Sequence, residues 1–122
     1  LAQFADWGAP YGCGMIKVNR QGEILWSYES FVHHDATLDE HGNIYTIVQK
    51  TLTDPTPGYE GLPYPMTADY LVQLSPEGKE QKRISVLEAF KDTPYELMVH
   101  RGKGDGDDDY DFLHTNSIDI LS

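Results

Sequence analysis

The sequence predicts an all-β fold built from four-stranded antiparallel sheets, and two related hairpins are the first observation behind this prediction. Residues 15–28 form one hairpin around a turn that ends at Gly22. Residues 70–86 form a second hairpin around a turn that ends at Gly78. Glycine takes the left-handed conformation that such short turns require. Strands and glycine turns that recur at the interval between Gly22 and Gly78 indicate a repeat architecture.

A run of consecutive strands is the second observation. The second strand of this run has apolar side chains on both faces, with Ile44 and Val48 on one and Tyr45 and Ile47 on the other. A strand of this kind is typical of a sheet packed between two layers. The four strands of this sheet are predicted at about 33–38, 43–49, 69–74 and 79–86.

The segments between the strands are predicted to be irregular or briefly helical. Residues 1–14 contain several glycines and read as a loop. Residues 50–68 are rich in Pro, Thr, Gly and Tyr, and they are too long for a hairpin turn, which indicates a functional excursion. Residues 85–91 are predicted to make one or two helical turns before Pro94. Residues 101–111 are predicted to form a charged, glycine-rich surface loop.

Four-stranded sheets in series are the unit of a β-propeller, in which blades surround a central channel. Residues 1–122 are therefore interpreted as a partial propeller domain. In this interpretation, 15–28 end one blade, 33–86 form a complete blade and 112–122 form the first strand of the next. These are about two to two and a half blades, whereas a closed propeller needs at least about four, so the chain is predicted to be a fragment of a larger protein. The alternative is a self-contained small β-sandwich.

The composition excludes several classes of partner. The formal net charge is -11, whereas nucleic acids and anionic membranes attract clustered Lys and Arg. No apolar run approaches the length of a membrane span. Cys13 is the single cysteine, so neither an internal disulfide nor a cysteine metal site is expected. Residues 1–7 lack the basic region and apolar core of a signal peptide.

Histidines occupy similar places in the two successive blades. His33 and His34 open the first strand of the complete blade, and His114 opens the first strand of the next. Because the first strand of each blade lines the channel, neighbouring blades would each place an imidazole at the same mouth of it. His114 and Asn116 lie two residues apart on an extended chain and would share one face. The alternative role for each histidine is structural hydrogen bonding.

Three segments resemble the bacterial aryl-sulfate sulfotransferase family. They are His-His-Asp at 33–35, the hairpin at 69–78, and Asp-Phe-Leu-His-Thr-Asn-Ser-Ile at 111–118. The resemblance spans roughly 15–122, and its most specific element is Leu-His-x-Asn-Ser-Ile. It implies a six-bladed propeller that is periplasmic or secreted. It also implies transfer of a sulfuryl group from an aryl sulfate donor to a phenolic acceptor, with no nucleotide donor and no other cofactor.

The resemblance also assigns site residues. His114 corresponds to the histidine of the family's His-x-Asn-Ser motif, and the His33–His34 pair covers another family histidine. His34, which precedes Asp35, is favoured, but His33 stays open because the repeat alignment can slip by one residue. The family's arginine and its sulfated histidine are expected beyond Ser122. Histidine suits this chemistry because the neutral ring is a nucleophile and the protonated ring stabilises developing negative charge.

Substrate-binding side chains are predicted from the same interpretation. Asn116 shares the face of His114, and Tyr59 and Tyr64 lie in the excursion where an aromatic acceptor could be held, with Tyr45 as a further candidate. The alternative for the tyrosines is ordinary packing beside a proline-rich loop.

Two other functions remain open. Alternating aspartates suggest a calcium loop, but the EF-hand pattern fails because Tyr110 stands where Gly is required and Asn116 where Glu is required. A solvated acidic loop is therefore favoured, with structural calcium in a full propeller left open. The other function is a non-catalytic, ligand- or protein-binding propeller, since a fold does not establish chemistry. The alternating aspartates are Asp105, Asp107, Asp109 and Asp111.

Overall fold

The computed structural model describes residues 1–4, 12–101, 111 and 113–121. These residues form two antiparallel sheets and two short helices, which confirms the predicted all-β class. Among them, no helix has the length and apolar character needed to cross a bilayer. Parts of the predicted N-terminal loop, the acidic loop and the last strand lie outside the described residues: 5–11, 102–110, Phe112 and Ser122.

The first sheet has three strands in the order β1 (Ala2–Phe4), β2 (Gly14–Val18) and β3 (Ile24–Glu29). The β2–β3 hairpin confirms the hairpin predicted at 15–28. The prediction of a loop across 1–14 is wrong for Ala2–Phe4, which pairs with β2. This strand was missed because it is short and adjoins a glycine-rich segment. Its pairing satisfies backbone groups along the outer edge of β2.

The second sheet has four strands that lie side by side in sequence order, as predicted for the complete blade. Its two central strands run further than predicted and pair as far as Leu52 opposite Met66, so the excursion between them shortens to 53–65. The alternation of Thr and apolar residues at these strand ends suits a pleated ladder. The four strands are β4 (Val32–Leu38), β5 (Ile44–Leu52), β6 (Met66–Leu74) and β7 (Glu80–Ser85).

Three hairpin turns share one construction. In each, a glycine with a φ between 79 and 84° donates its N–H to the carbonyl of the residue three positions earlier. The side-chain oxygen of that earlier residue also accepts the N–H of the residue two positions after it. Repetition of one turn chemistry agrees with the predicted repeat architecture. The paired residues are Asn19 with Gly22, Asp39 with Gly42, and Ser75 with Gly78.

The two sheets pack against each other through one face of the second sheet. The Trp26 indole N–H donates to the Pro76 carbonyl at 3.0 Å, and Lys17 Nζ donates to the same oxygen at 3.2 Å. These bonds join β2 and β3 to the turn between β6 and β7. The apolar side chains buried between the sheets are Met15, Val32, Ile44, Val48, Val72 and Leu74.

A second core lies where the excursion and the helices meet the end of β6. The helices are α1 (Val86–Ala89), which falls within the predicted helical turns at 85–91, and α2 (Glu96–Arg101), which was not predicted. Ser85 caps α1 by accepting the Glu88 N–H at 3.2 Å. Helix α2 escaped prediction because it is short and places few apolar side chains in the core. The buried members of this second core are Tyr59, Leu62, Met66, Leu87 and Val99.

The C-terminal segment, residues 113–121, crosses the opposite face of the second sheet. Residues 113–121 form no strand, so the prediction of a strand across 112–122 is not met there. A strand needs a second strand to pair with, and backbone N–H groups of this segment donate to carboxylates instead. The Thr115 N–H donates to Asp69 Oδ2 at 2.6 Å, and the Ile118 N–H donates to Asp35 Oδ2 at 3.0 Å. Two carboxylates of the second sheet therefore hold the segment in place.

Candidate functional site: a histidine cluster beside two carboxylates

A bulge in β4 turns His34 outward. His33 pairs with Ile47 and Ala36 pairs with Thr46, so His34 and Asp35 are extra residues on the β4 side of the ladder. His34 has a φ of 58°, in the left-handed region that a histidine rarely adopts. Bulges redirect side chains in this way. Regular strand alternation would place two adjacent histidines on opposite faces of the sheet. The bulge instead lets His33 and His34 lie close together, with ring centroids 4.9 Å apart.

His114 also has a left-handed backbone, with a φ of 34°. Its position follows from the Thr115 N–H bond to Asp69 on one side and from Asp111 on the other. The two exposed histidines of the site, His34 and His114, thus both sit at strained positions. Such strain persists where the surrounding structure fixes it, and it concentrates at functional sites.

The three predicted histidines form one cluster, which we call the histidine cluster: His33, His34 and His114. The Nε2 atoms of His34 and His114 are 3.1 Å apart, and the ring centroids are 5.0 Å apart. The His33 ring lies 4.9 Å from His34 and 6.4 Å from His114. The structure therefore brings together the side chains that the sequence placed at one mouth. Their catalytic roles remain predictions.

The contact between His34 and His114 requires one shared proton. A hydrogen bond between two ring nitrogens needs an N–H on one and a lone pair on the other. Asp111 Oδ2 lies 2.6 Å from His114 Nδ1, which places an N–H on that nitrogen and leaves His114 Nε2 facing His34. The side chain of His114 is 43% exposed, so a ligand can reach the pair from solvent.

Asp111 is a site residue that the sequence analysis missed. It was considered as the last aspartate of a calcium-like loop and as the first residue of the motif at 111–118, with no role of its own, yet its side chain is 11% exposed and bonds to His114. Gln49 on β5 adds a longer contact, with Nε2 3.4 Å from the same oxygen. An aspartate three residues before a candidate histidine was the available signal. Carboxylates in this position orient an imidazole and stabilise its protonated form.

His33 and His34 have different roles in the structure. His33 is 3% exposed, and its Nε2 lies 3.3 Å from Oδ1 of the fully buried Asp69. Burial by itself raises the pKa of Asp69, but the neighbouring His33 imidazole and the hydrogen bond from the Thr115 N–H outweigh it, so the pKa of Asp69 is lowered. The geometry thus separates the two histidines, since His34 faces His114 and His33 faces a buried carboxylate. Which of them is the catalytic residue stays a prediction.

The lowered pKa of Asp69 predicts an acid dependence of stability. A carboxyl whose folded pKa lies below its ordinary value of 3.8 stabilises the fold above that value, and the stabilisation is lost as the pH falls through the folded pKa. We expect Asp69→Asn to remove this part of the acid dependence, measured as the free energy of urea unfolding between neutral and strongly acidic pH. The exposed Asp54, changed to Asn, is the control. Equal acid dependence in Asp69→Asn and wild type would contradict the assignment.

The predicted substrate-binding residues fall into two groups. Asn116 is exposed on the C-terminal segment, two residues from His114. Tyr59 is fully buried in the second core, and its ring stacks on His100 at 5.1 Å. The Tyr64 hydroxyl accepts the Thr56 N–H and donates to the Tyr59 carbonyl. Tyr59 is therefore a packing residue here, because excursion 53–65 folds its side chain inward.

A shallow apolar groove of about 380 Å³ adjoins the C-terminal segment. Tyr45, the further tyrosine candidate, lies in its wall, and its hydroxyl donates to Asp39 at 3.3 Å. The groove lies on the sheet face that also carries Asp69, because Asp69 and two lining residues alternate along β6. Lining side chains include Leu71, Gln73, Lys82, Ile84, Ile118 and Ile120.

The calcium alternative gains no support from the described residues. Within these parts of the chain, no group of three His, Cys, Asp or Glu side chains is placed to hold a metal ion. Asp111 is engaged by His114. The other three aspartates of the alternating pattern, Asp105, Asp107 and Asp109, lie outside the described residues.

Comparisons of the chain with protein-family models, with curated proteins and with solved structures found no match. The geometry of the histidine cluster and the motif resemblance are therefore the grounds on which a function is proposed.

Proposed function

We propose that this protein is part of a β-propeller sulfotransferase, which transfers a sulfuryl group from a phenolic sulfate ester to a phenol without a nucleotide donor. One observation carries the proposal. Two histidine Nε2 atoms, one from the β4 bulge and one from the C-terminal segment, lie 3.1 Å apart, and a carboxylate binds the far nitrogen of one of them. Paired imidazoles with an orienting carboxylate are suited to group transfer with proton movement.

The propeller part of the proposal has support from the packing. Four strands in sequence order form a sheet, another sheet stacks on one face, and the C-terminal segment crosses the other face. Successive blades of a propeller stack in this manner, and the repeated turns agree with it. Six blades and a periplasmic or secreted location come from the motif resemblance.

The proposed reaction proceeds by two displacements at sulfur. A histidine nitrogen bonds to sulfur while the bond from sulfur to the donor's phenolic oxygen breaks, and the phenolate leaves. The acceptor phenol then gives its proton to an imidazole of the site, the one that protonated the departing phenolate in the first step, and its oxygen bonds to sulfur as the sulfur–nitrogen bond breaks. By resemblance, the histidine that becomes sulfated is expected beyond Ser122. The residues present here would stabilise charge and move protons.

His114 is the main candidate for that work. Sulfuryl transfer resembles phosphoryl transfer, with a loose transition state whose charge lies on the equatorial oxygens. Protonated at both nitrogens, His114 would direct its Nδ1–H at Asp111 and its Nε2–H at a sulfuryl oxygen or the leaving phenolate oxygen. Without substrate, Nε2 of His114 faces Nε2 of His34, with one proton between the two nitrogens. His34 thus keeps Nε2 of His114 in position, and the substrate's oxygen would take the place of His34 Nε2 beside it.

Asp111→Asn is predicted to lower kcat for sulfuryl transfer about a hundredfold, with a small change in KM. An amide at this position favours the wrong histidine tautomer and cannot stabilise an imidazolium. The test is steady-state kinetics of the full-length protein with a chromogenic aryl sulfate and a phenol acceptor. The exposed Asp54, changed to Asn, serves as the matched control. A kcat within about twofold of wild type in Asp111→Asn would remove the proposed role of Asp111.

A non-catalytic binding propeller is the second candidate function, and the apolar groove favours it. A groove of about 380 Å³ falls within the size range of small-ligand sites, about 300–1,000 Å³. The two functions differ in one measurement. A binding propeller would bind a phenol or aryl sulfate without turnover, whereas the sulfotransferase would consume the donor with ping-pong kinetics.

A further inference from the structure

We infer that Asp69 is a positioning residue that holds His114 against His34, with His33 as its buried partner; this inference rests on the proposed function for its effect on catalysis. The two oxygens of Asp69 have separate tasks. Oδ2 accepts the N–H of Thr115, the residue directly after His114, and Oδ1 faces His33 Nε2. No substrate contact is assigned to Asp69, since it is fully buried.

The bond from Thr115 to Asp69 is the shorter restraint on the C-terminal segment. At 2.6 Å, it joins a backbone N–H to a carboxylate, and charge-assisted hydrogen bonds are roughly twice as strong as neutral ones. The low pKa of Asp69 keeps the charge in place at neutral pH. Because a peptide unit is rigid, fixing the N–H of Thr115 also fixes the carbonyl side of His114.

The restraint matters because the backbone of His114 is strained. A left-handed conformation costs a histidine free energy that a freely moving segment would release by relaxing. Relaxation at His114 would swing its ring away from His34 and from Asp111. Catalytic groups lose much of their effect after displacements of about 1 Å, so the restraint is expected to appear in kcat.

Asp35 provides a parallel restraint on the other histidine. Its Oδ1 accepts the Ala36 N–H at 2.8 Å within the β4 bulge, and its Oδ2 accepts the Ile118 N–H at 3.0 Å. The bulge that carries His34 and the segment that carries His114 are thus tied to each other. Asp69 fixes the same segment three residues earlier, so the two imidazoles are held from both sides.

His33 has a supporting place in this arrangement. It lies on the same sheet face as Asp69, is 3% exposed and sits on the side of the carboxylate away from Thr115. A buried carboxylate is costly unless its charge is compensated by hydrogen bonds or a partner. His33 and the Thr115 N–H both contribute to this compensation.

The test uses Asp69→Asn and Asp69→Ala, with Asp54→Asn as control, and it begins with readouts that do not depend on activity. Amide hydrogen exchange of Thr115 is expected to rise about tenfold in Asp69→Asn and about a hundredfold in Asp69→Ala, because the first variant keeps a neutral acceptor. The imidazole NMR signals of His114 should also shift, less in Asp69→Asn than in Asp69→Ala. In the full-length protein with aryl sulfate and phenol, kcat should fall about tenfold in Asp69→Asn and about a hundredfold in Asp69→Ala. KM should stay within about twofold of wild type in both variants.

Several outcomes would overturn the inference. Unchanged Thr115 exchange and unchanged His114 signals in Asp69→Asn would do so. If the variants fail to fold, the wild-type protein provides the test, since a Thr115 amide that exchanges as fast as the Asn116 and Ser117 amides contradicts the restraint. Graded exchange together with no sulfuryl transfer in wild type would refute the proposed function and leave the positioning role intact.

Discussion

Replacing His114 by Ala in the full-length protein is expected to lower sulfuryl transfer from an aryl sulfate to a phenol at least about a thousandfold. The substitution removes the ring nitrogen that faces His34 and the nitrogen that bonds to Asp111. Loss of a proton donor for the sulfuryl oxygens, or for the leaving phenolate, acts on the transition state. The fall should therefore appear in kcat as well as in kcat/KM.

The measurement is initial-rate kinetics with a chromogenic aryl sulfate, and the control is another histidine. His41 lies on the turn between β4 and β5 with 75% of its side chain exposed, so His41→Ala should keep wild-type turnover. His114→Asn is the second variant, because asparagine retains a polar side chain and this variant is expected to fold more readily than His114→Ala. Near-normal turnover in either His114 variant would refute the assigned role.

The same assay separates the two adjacent histidines. His34→Ala should lower kcat strongly, because His34 Nε2 is the partner of His114 Nε2. His33→Ala should chiefly lower the free energy of unfolding, because it leaves the buried Asp69 carboxylate with one partner fewer. A stable His33→Ala variant with the larger kinetic defect would reverse this assignment.

The sequence was sufficient where local rules decide the structure. The hairpins around Gly22 and Gly78 and the four strands of the second sheet follow from turn chemistry and side-chain alternation, and the structure contains them. The meeting of the His33–His34 pair with His114 was also predicted, because these histidines open the first strands of successive predicted blades. The catalytic roles of these histidines remain predictions.

Other features depend on contacts that no local pattern records. The β4 bulge that brings His33 and His34 close together is a feature of the ladder register, and the bond from Thr115 to Asp69 links residues far apart in sequence. Asp111 was hidden within an acidic run, where its pairing with His114 has no periodic signal. Burial of Tyr59 likewise depends on how the whole excursion folds onto Met66 and Leu87.

Gly78→Ala is expected to be among the most destabilising single-methyl changes in the chain, and Gly22→Ala is its matched control. Both glycines end equivalent turns with φ near +80°, at 80 and 84°, so both variants carry similar backbone strain of about 1–2 kcal/mol. They differ in space. A Cβ at position 22 meets nothing within 4 Å, whereas a Cβ at position 78 would lie 2.5 Å from Trp26 Cδ2.

The clash involves a side chain that cannot easily move. The Trp26 ring packs against the core between the sheets, and its indole N–H bonds to Pro76. Displacing it would open both contacts, so overpacking adds about 1–3 kcal/mol to the strain. Urea unfolding should therefore show a loss of about 2–5 kcal/mol for Gly78→Ala against about 1–2 kcal/mol for Gly22→Ala. In a Trp26→Leu background the difference should shrink, because the ring atoms that a Cβ would meet are gone. Equal losses for the two glycine variants would mean that the turn between β6 and β7 does not press on Trp26, and would contradict the proposed close packing of this turn against the first sheet.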